Sequence, residues 1–260
     1  MEQIKKRIVV KVGTSTLAYK TGKTNIRRMK QLVVVLSDLM NAGHEVVLVS
    51  SGAIGIGVGK MGLECRPKDT EGRQAAAAVG QCELMFMYDR EFNEFGHTVG
   101  QLLITKSDVD DDERRNNLIN TFNKLFEYGA IPIINENDSV AVDEIVYGDN
   151  DSLSAHVAKL INADVLVILT DTDGLFDKDP SVYEDAKLIP VVDKITDEIE
   201  RLAGGSISGL GTGGMLTKIH AAKLAGEAGI DTLIINGDNP ENIYAAVEGG
   251  SIGTLFKAEK

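Results

Sequence analysis

Two lysines stand where a lysine needs a reason. Lys11 interrupts the apolar run Ile8-Val9-Val10-Lys11-Val12 and is followed by Gly13-Thr14-Ser15. An ammonium group in such a strand is costly to bury unless it meets an anion. The turn beyond it offers backbone amides and hydroxyls that can approach a phosphate. An edge strand whose lysine reaches water is the alternative that these residues leave open. Lys218 lies one turn into an amphipathic helix, behind Ser208-Gly209-Leu210-Gly211-Thr212-Gly213-Gly214-Met215-Leu216-Thr217. A glycine loop on a helix N-terminus with a lysine one turn in suits a clamp for a nucleoside polyphosphate; a surface loop with a solvated lysine is its plain alternative. Gly209, Gly211 and Gly214 also satisfy GxGxxG. A dinucleotide fingerprint should follow a strand directly, whereas Asp197 to Gly205 has the pattern of a short helix and a loop.

Groups able to hold a small acid lie between these lysines. Ser50-Ser51-Gly52-Ala53-Ile54-Gly55-Ile56-Gly57-Val58-Gly59 follows the strand-like EVVLVS, and its glycines predict a backbone curled against a carboxylate or phosphate, or a flexible turn without a ligand. It is not a P-loop, because Ile54 and Met61 occupy the places that motif needs around Lys60. Ile134-Asn135-Glu136-Asn137-Asp138-Ser139 and Gly148-Asp149-Asn150-Asp151 add carboxylates and amides after a strand and at a helix start. Together they suit the ammonium and carboxylate of an amino acid, although Asp149 or Asn150 serves equally well as an ordinary helix cap. Thr170-Asp171-Thr172-Asp173-Gly174 after VLVIL suits a nucleoside or is simply a turn.

Other chemistries are excluded. Gly249 to Gly253 fits GxSxG, but no histidine or aspartate follows it to complete a hydrolase triad. His44, His97, His156 and His220 are scattered, and Cys65 and Cys82 lack zinc-site spacing, so no metal ligand is expected from the protein. With 27 Lys plus Arg against 39 Asp plus Glu, the net charge of −12 argues against nucleic-acid or anionic-membrane partners. The N-terminus reads as a first strand and not as a signal peptide, and no apolar run is long enough to span a bilayer. Two cysteines in 260 residues suit a reducing interior, and a cytoplasmic protein is expected.

The elements that must position these groups alternate along the chain. Strands are expected near 8–12, 45–50, 98–104, 130–135, 165–170 and 231–236, with strand-like GTLF near the end. Helices are expected over 25–41, 71–95, 113–127, 151–162 and 214–228. Repeated strand, helix, strand units predict an α/β fold, a three-layer αβα sandwich around a mainly parallel sheet. No linker or repeat divides residues 1–260, so one domain is expected, with ligands beyond the carboxyl ends of its strands.

Taken together, KVGTSTL, SSGAIGIG, INENDSV, GDNDSLSA, TDTDGLF and SGLGTGGMLTK closely resemble the amino-acid kinase family along essentially the whole chain. GDND followed by GLGTGGMxTK resembles the branch that phosphorylates glutamate more than the acetylglutamate, aspartate or uridylate kinases. The resemblance implies ATP-dependent transfer of a phosphoryl group to the side-chain carboxylate of L-glutamate, giving L-glutamyl 5-phosphate, the first step of proline synthesis. It implies an N-terminal part that mainly binds glutamate and a C-terminal part that mainly binds ATP.

By that resemblance Lys11 and Lys218 are catalytic and contact the ATP phosphates, and Asp151 orients them. Ser51, Asp138 and Asn150 bind glutamate. Thr170, Asp171, Thr212, Gly213, Gly214, Met215, Leu216, Thr217 and Lys218 bind the nucleotide. Mg2+ is expected on ATP oxygens and water. Many members carry a C-terminal PUA domain, which this sequence lacks, so no RNA contact is implied. Feedback inhibition by proline, a homo-oligomer and handover of the acyl phosphate to a glutamyl phosphate reductase are further expectations of the resemblance.

Overall fold

The structure, a computed structural model, describes residues 4–19, 23–140, 150–204 and 214–259. Its elements follow in order: β1 (Arg7–Val12), α1 (Thr14–Leu17), α2 (Ile26–Asn41), β2 (Glu45–Ser50), α3 (Ala53–Lys60), α4 (Thr70–Asn93), β3 (Val99–Ile104), α5 (Lys106–Asp110) and α6 (Asp112–Glu127). Then come β4 (Ile131–Glu136), α7 (Asn150–Leu160), β5 (Val165–Thr170), β6 (Val191–Val192), α8 (Asp197–Ala203), α9 (Met215–Gly226), β7 (Asp231–Asn236), α10 (Asn242–Glu248) and β8 (Thr254–Phe256). All six strands expected from apolar, β-branched runs form, and GTLF supplies β8. Among the described residues no helix is long and apolar enough to cross a membrane.

The strands make one sheet in the order β3-β4-β2-β1-β5-β7-β8-β6. Neighbours from β3 to β7 run parallel, and β8 turns back antiparallel to β7. The chain therefore leaves β1 toward β2 on one side and returns to β5 on the other. Such a reversal of strand order opens a crevice at the carboxyl ends of the central strands.

Alternation along β1 sorts its side chains between two cores. Ile8, Val10 and Val12 join Leu32 and Leu36 of α2, Tyr88 and Phe92 of α4, and Ile243 of α10 on one face. Val9 joins Phe122 of α6, Leu153 and Val157 of α7, and Ile219 and Ala222 of α9 on the other. Helices thus cover both faces, as the three-layer expectation requires. Side chains cap two of the long helices: Asn25 accepts from the Arg28 amide at the start of α2, and Asp69 from the Gly72 amide, at 2.8 Å, at the start of α4.

One expectation changes. The glycine-rich stretch after β2 is not an open loop but helix α3, and its glycines serve packing. A Cβ on Gly57 would stand 1.8 Å from the Ala76 carbonyl oxygen, and one on Gly80 would stand 1.7 Å from that of Ala53. Helices α3 and α4 therefore cross backbone to backbone. Only Gly52, at φ +107°, needs glycine for its conformation, at the turn that starts α3. The sequence showed small residues without showing what would press against them.

Gly57→Ala and Gly80→Ala should each destabilise the protein by about 3 kcal/mol in urea unfolding, since the opposing backbone must move. Gly55→Ala, whose Cβ would meet only Thr14 Cγ2 at 3.8 Å, should be neutral or stabilising by roughly 0.5–1 kcal/mol. Equal effects at the three positions would show that the close crossing is wrongly placed.

Candidate functional site

Lys11 lies two residues after Val9 and so projects to the face covered by α7 and α9. Strand β1 is central, paired with β2 and β5, so the edge-strand alternative does not hold. Its side chain is almost wholly buried, as is that of Lys218 in the first turn of α9. Both reach Asp151, in the first turn of α7, which is 0% exposed. Lys11 Nζ is 2.5 Å from Asp151 Oδ1, and Lys218 Nζ is 3.1 Å from Oδ2. The Lys11 approach is a charge contact rather than an aligned hydrogen bond. The Thr217 hydroxyl lies 2.9 Å from Asp151 Oδ2 and 2.8 Å from the Gly214 carbonyl oxygen, so its one proton is shared between them.

Burial alone would raise the Asp151 carboxyl pKa; the Lys11 charge, then the Lys218 charge, outweigh it and hold the group below its ordinary range. The trio carries one more positive than negative charge. Two cations fixed on a shared anion, beside the N-terminal ends of α7 and α9, form a positive locus suited to a polyanion.

The acid-binding candidates meet on the adjoining side. Asn150 Nδ2 donates to Ser51 Oγ at 2.7 Å and to Asn135 Oδ1 at 2.9 Å. The Glu136 backbone N–H also donates to Asn135 Oδ1, at 2.9 Å. A backbone amide can only donate, so it fixes which end of the Asn135 amide is oxygen. Asn150 has then spent both amide protons, and what it can offer a ligand is its oxygen, an acceptor for an ammonium. Ser51 accepts from Asn150 and keeps its own proton for an acceptor such as a carboxylate. Its neighbour Ser50 turns inward instead, 2.8 Å from the hydroxyl of buried Tyr88. Half-buried Asp138 follows β4; burial pushes its carboxyl pKa up, and the charges of Arg66 and Arg73 oppose this without cancelling it.

The expected nucleotide residues divide. Thr170 ends β5, buried, with its hydroxyl 3.2 Å from Asp171 Oδ1. Exposed Asp171 begins the following turn, and β5 is the direct neighbour of β1. Gly214, Met215, Leu216, Thr217 and Lys218 form the start of α9. Thr212 and Gly213, with Gly148, Asp149 and Ser208 to Gly211, lie outside the described residues. Among the described residues, no three His, Cys, Asp or Glu side chains gather to hold a metal, and Asp151 is already committed to two lysines.

Four contributors escaped the sequence analysis. Asn135 was visible only as part of a polar motif, and its role as the hub between Asn150 and the backbone depends on the fold. Gln81 of α4, 2.9 Å from Asn135 Nδ2 through its Oε1, sits on a long helix of mixed composition where no spacing marks it. Arg66 and Arg73 are far from Asp138 in sequence, and only the fold brings their charges to bear on it.

The amino acid kinase family model matches residues 6–236. The chain is similar to proteins named glutamate 5-kinase. That of Clostridium perfringens is 52% identical over 259 residues, 98% of this chain and 96% of the relative. That of Clostridium tetani is 54% identical over 255 residues, 98% of this chain and 96% of the relative. That of Listeria monocytogenes is 50% identical over 259 residues, covering 98% and 94%. Among solved structures, T. acidophilum isopentenyl phosphate kinase superposes with TM-score 0.66 at 21% identity, over 96% of this chain and all of that one. UMP kinase from Bacillus anthracis does so with TM-score 0.66 at 17% identity, over 98% and 97%. These two share the fold.

Asp151→Asn should cost about 3 kcal/mol at neutral pH, because two buried ammonium groups lose their shared anion. The sign with pH follows from the lowered folded pKa. The unfolded carboxyl titrates near 3.8. The ionised cluster stabilises the fold fully above that value, and the contribution is lost as pH falls through the folded value. Urea unfolding of both proteins should show a difference that is constant from about pH 8 to 5 and shrinks below about pH 4. A difference independent of pH would mean that the Asp151 charge is not the source.

Proposed function

The chain belongs to the amino acid kinase family, and we infer that it catalyses ATP-dependent phosphorylation of the side-chain carboxylate of L-glutamate, giving L-glutamyl 5-phosphate, the first step of proline biosynthesis. The observation that carries the mechanism is the meeting of Lys11 and Lys218 on Asp151, next to an amide and hydroxyl cluster able to read an amino acid.

In this proposal a glutamate Oε forms a bond to the γ-phosphorus of ATP while the bond from that phosphorus to the bridging oxygen breaks, and the electron pair leaves on ADP. No proton has to move. A carboxylate with a reference pKa near 4.3 is already ionised at neutral pH, so no general base is needed and the absence of a histidine from the assigned residues is consistent. What the transfer needs is alignment and a fixed positive environment for oxygens that gain charge. Lys11 and Lys218 supply that charge, and Asp151 holds both nitrogens in place before the nucleotide arrives. Thr170, Asp171 and the residues from Thr212 to Thr217 are assigned to the nucleotide.

Asn150 Oδ1 and Asp138 are assigned to the glutamate ammonium, and the Ser51 hydroxyl to a carboxylate. An ammonium against Asp138 would offset the burial that raises its carboxyl in the free protein. Magnesium is assigned to the nucleotide as its counter-ion, on phosphate oxygens and water, and no step is assigned to it.

The test is to incubate the protein with magnesium ATP and an acid, then trap acyl phosphate with hydroxylamine. Hydroxamate should form with glutamate; formation with aspartate or acetylglutamate but none with glutamate rejects the substrate. Lys11→Ala and Lys218→Ala should each lower turnover on the order of 100-fold or more. Either variant leaves Asp151 one ammonium partner, so the melting temperature should move much less than the rate. Near-normal turnover in both would remove the phosphates from this locus. Asp138→Ala and Asn150→Ala should raise the glutamate KM and leave the ATP KM unchanged.

A further inference from the structure

Helix α4 buries a stripe made of Ala77, Gln81, Leu84, Tyr88 and Phe92, at the three- and four-residue spacing of one helix face. Four members are small or apolar. The fifth is a glutamine only 8% exposed. Its Oε1 accepts from Asn135 Nδ2 at 2.9 Å, while its Nε2 is buried and makes no hydrogen bond to any described residue. A buried donor left unmade weakens the fold, and Gln81 carries that cost while its oxygen serves Asn135. A buried polar residue whose one hydrogen bond goes to a member of the candidate acid site, and whose other end stays unmade, points to a demand of that site.

That demand is visible in the hydrogen bonds. The Glu136 backbone N–H and Asn150 Nδ2 both donate to Asn135 Oδ1, which leaves Asn135 Nδ2 as a buried donor pointing the other way. Gln81 Oε1 is the acceptor that receives it. With this acceptor present, Asn135 presents oxygen to Asn150, so Asn150 turns its two amide protons to Ser51 and Asn135 and keeps its oxygen for the ligand. Without it, Asn135 Nδ2 is a buried donor with no partner, and the side chain is no longer held where its oxygen serves both the Glu136 N–H and Asn150.

We propose that Gln81 is a positioning residue for the acid substrate: from the core of α4 it accepts from Asn135 Nδ2 and anchors that side chain, and so holds in place the oxygen to which Asn150 donates and, through it, the donor and acceptor pattern that Asn150 and Ser51 show to an amino acid. The proposal rests on the glutamate kinase assignment above. Gln81 does not touch the reacting atoms. It sets which kind of group the site recognises, an ammonium beside Asn150 and a carboxylate beside Ser51.

Two variants of opposite character test it. Gln81→Met keeps the length and removes the amide; Gln81→Asn keeps the amide and shortens its reach by one methylene. Both should raise the glutamate KM by about tenfold or more, with ATP KM unchanged and kcat within about threefold, as expected when ground-state binding is lost. The melting temperature of Gln81→Met should fall by no more than about 5 °C, because one unmade donor, Gln81 Nε2, is exchanged for another, Asn135 Nδ2. In an Asn135→Ala background, Gln81→Met should change the glutamate KM by less than about twofold, since the two residues act in series.

An unchanged glutamate KM in Gln81→Met, or an effect in Gln81→Asn alone, makes the position a matter of packing and overturns the proposal. Full, independent effects in the double variant overturn the route through Asn135. Failure of both single variants to fold makes Gln81 purely structural and overturns it as well. If the unmodified protein traps no hydroxamate with glutamate, the kinase assignment fails first and this proposal with it. Activity of the unmodified protein with normal saturation in the variants rejects only the role of Gln81.

Discussion

A carboxylate with no exposed surface and an ammonium group against each oxygen is the arrangement on which the rest depends. Taken singly, each of these three charges would be expensive to remove from water. Together they form a cluster with one excess positive charge, held at the meeting of β1, α7 and α9. The cluster serves the fold and the chemistry by the same means. Asp151 permits the lysines to be buried, and burial with a fixed partner gives them a set position and a low local dielectric. Both properties make them effective toward a charge that grows during transfer.

The sheet explains how groups so distant in sequence meet. Reversal of strand order at β1 opens a crevice at the carboxyl ends of β2, β1 and β5. Helices α7 and α9 lie on one face with their starts at that end, while α4 covers the opposite face and reaches the crevice through the end of β4. Consecutive residues of a helix point about 100° apart. Asn150 and Asp151 therefore divide one helical turn between two tasks, the first facing the amide cluster and the second facing the lysines. In the proposed function the acid and the polyphosphate would be brought side by side by adjacent residues of a single element, with no loop between them to set the distance.

The α/β class, six principal strands and five long helices were legible because apolar period and capping residues are local signals, and they agree with the tertiary result. The end of β1 was legible because a lysine among β-branched residues is anomalous in itself. The glycine stretch at 52–59 was legible only as composition: freedom to curl and freedom to pack closely need the same residue, and only the neighbouring backbone of α4 separates them. Asn135 and Gln81 were unreadable for a related reason. Their significance lies in which end of each amide faces which neighbour, and that follows from the Glu136 backbone N–H and from which helix packs behind β4. Conversely, Asp151 was selected through likeness to a family, since an aspartate one residue into a helix is otherwise an ordinary first-turn acid.

The fold by itself says little about the phosphoryl acceptor. Structures named isopentenyl phosphate kinase and UMP kinase share its architecture at 21% and 17% identity, a likeness that establishes the fold and not the acceptor. Selection among acceptors has to come from side chains, and charge alone is too coarse for it, because any acid brings a carboxylate to a positive locus. The acceptor and donor order at Asn150 and Ser51 is finer. It distinguishes an ammonium from a carboxylate at fixed points, and a mismatch there leaves polar groups unpaired in a buried place, which is the most selective penalty a protein can impose. In the proposed reaction, positive charge drives transfer, while neutral amides anchored by the core behind them decide what receives it.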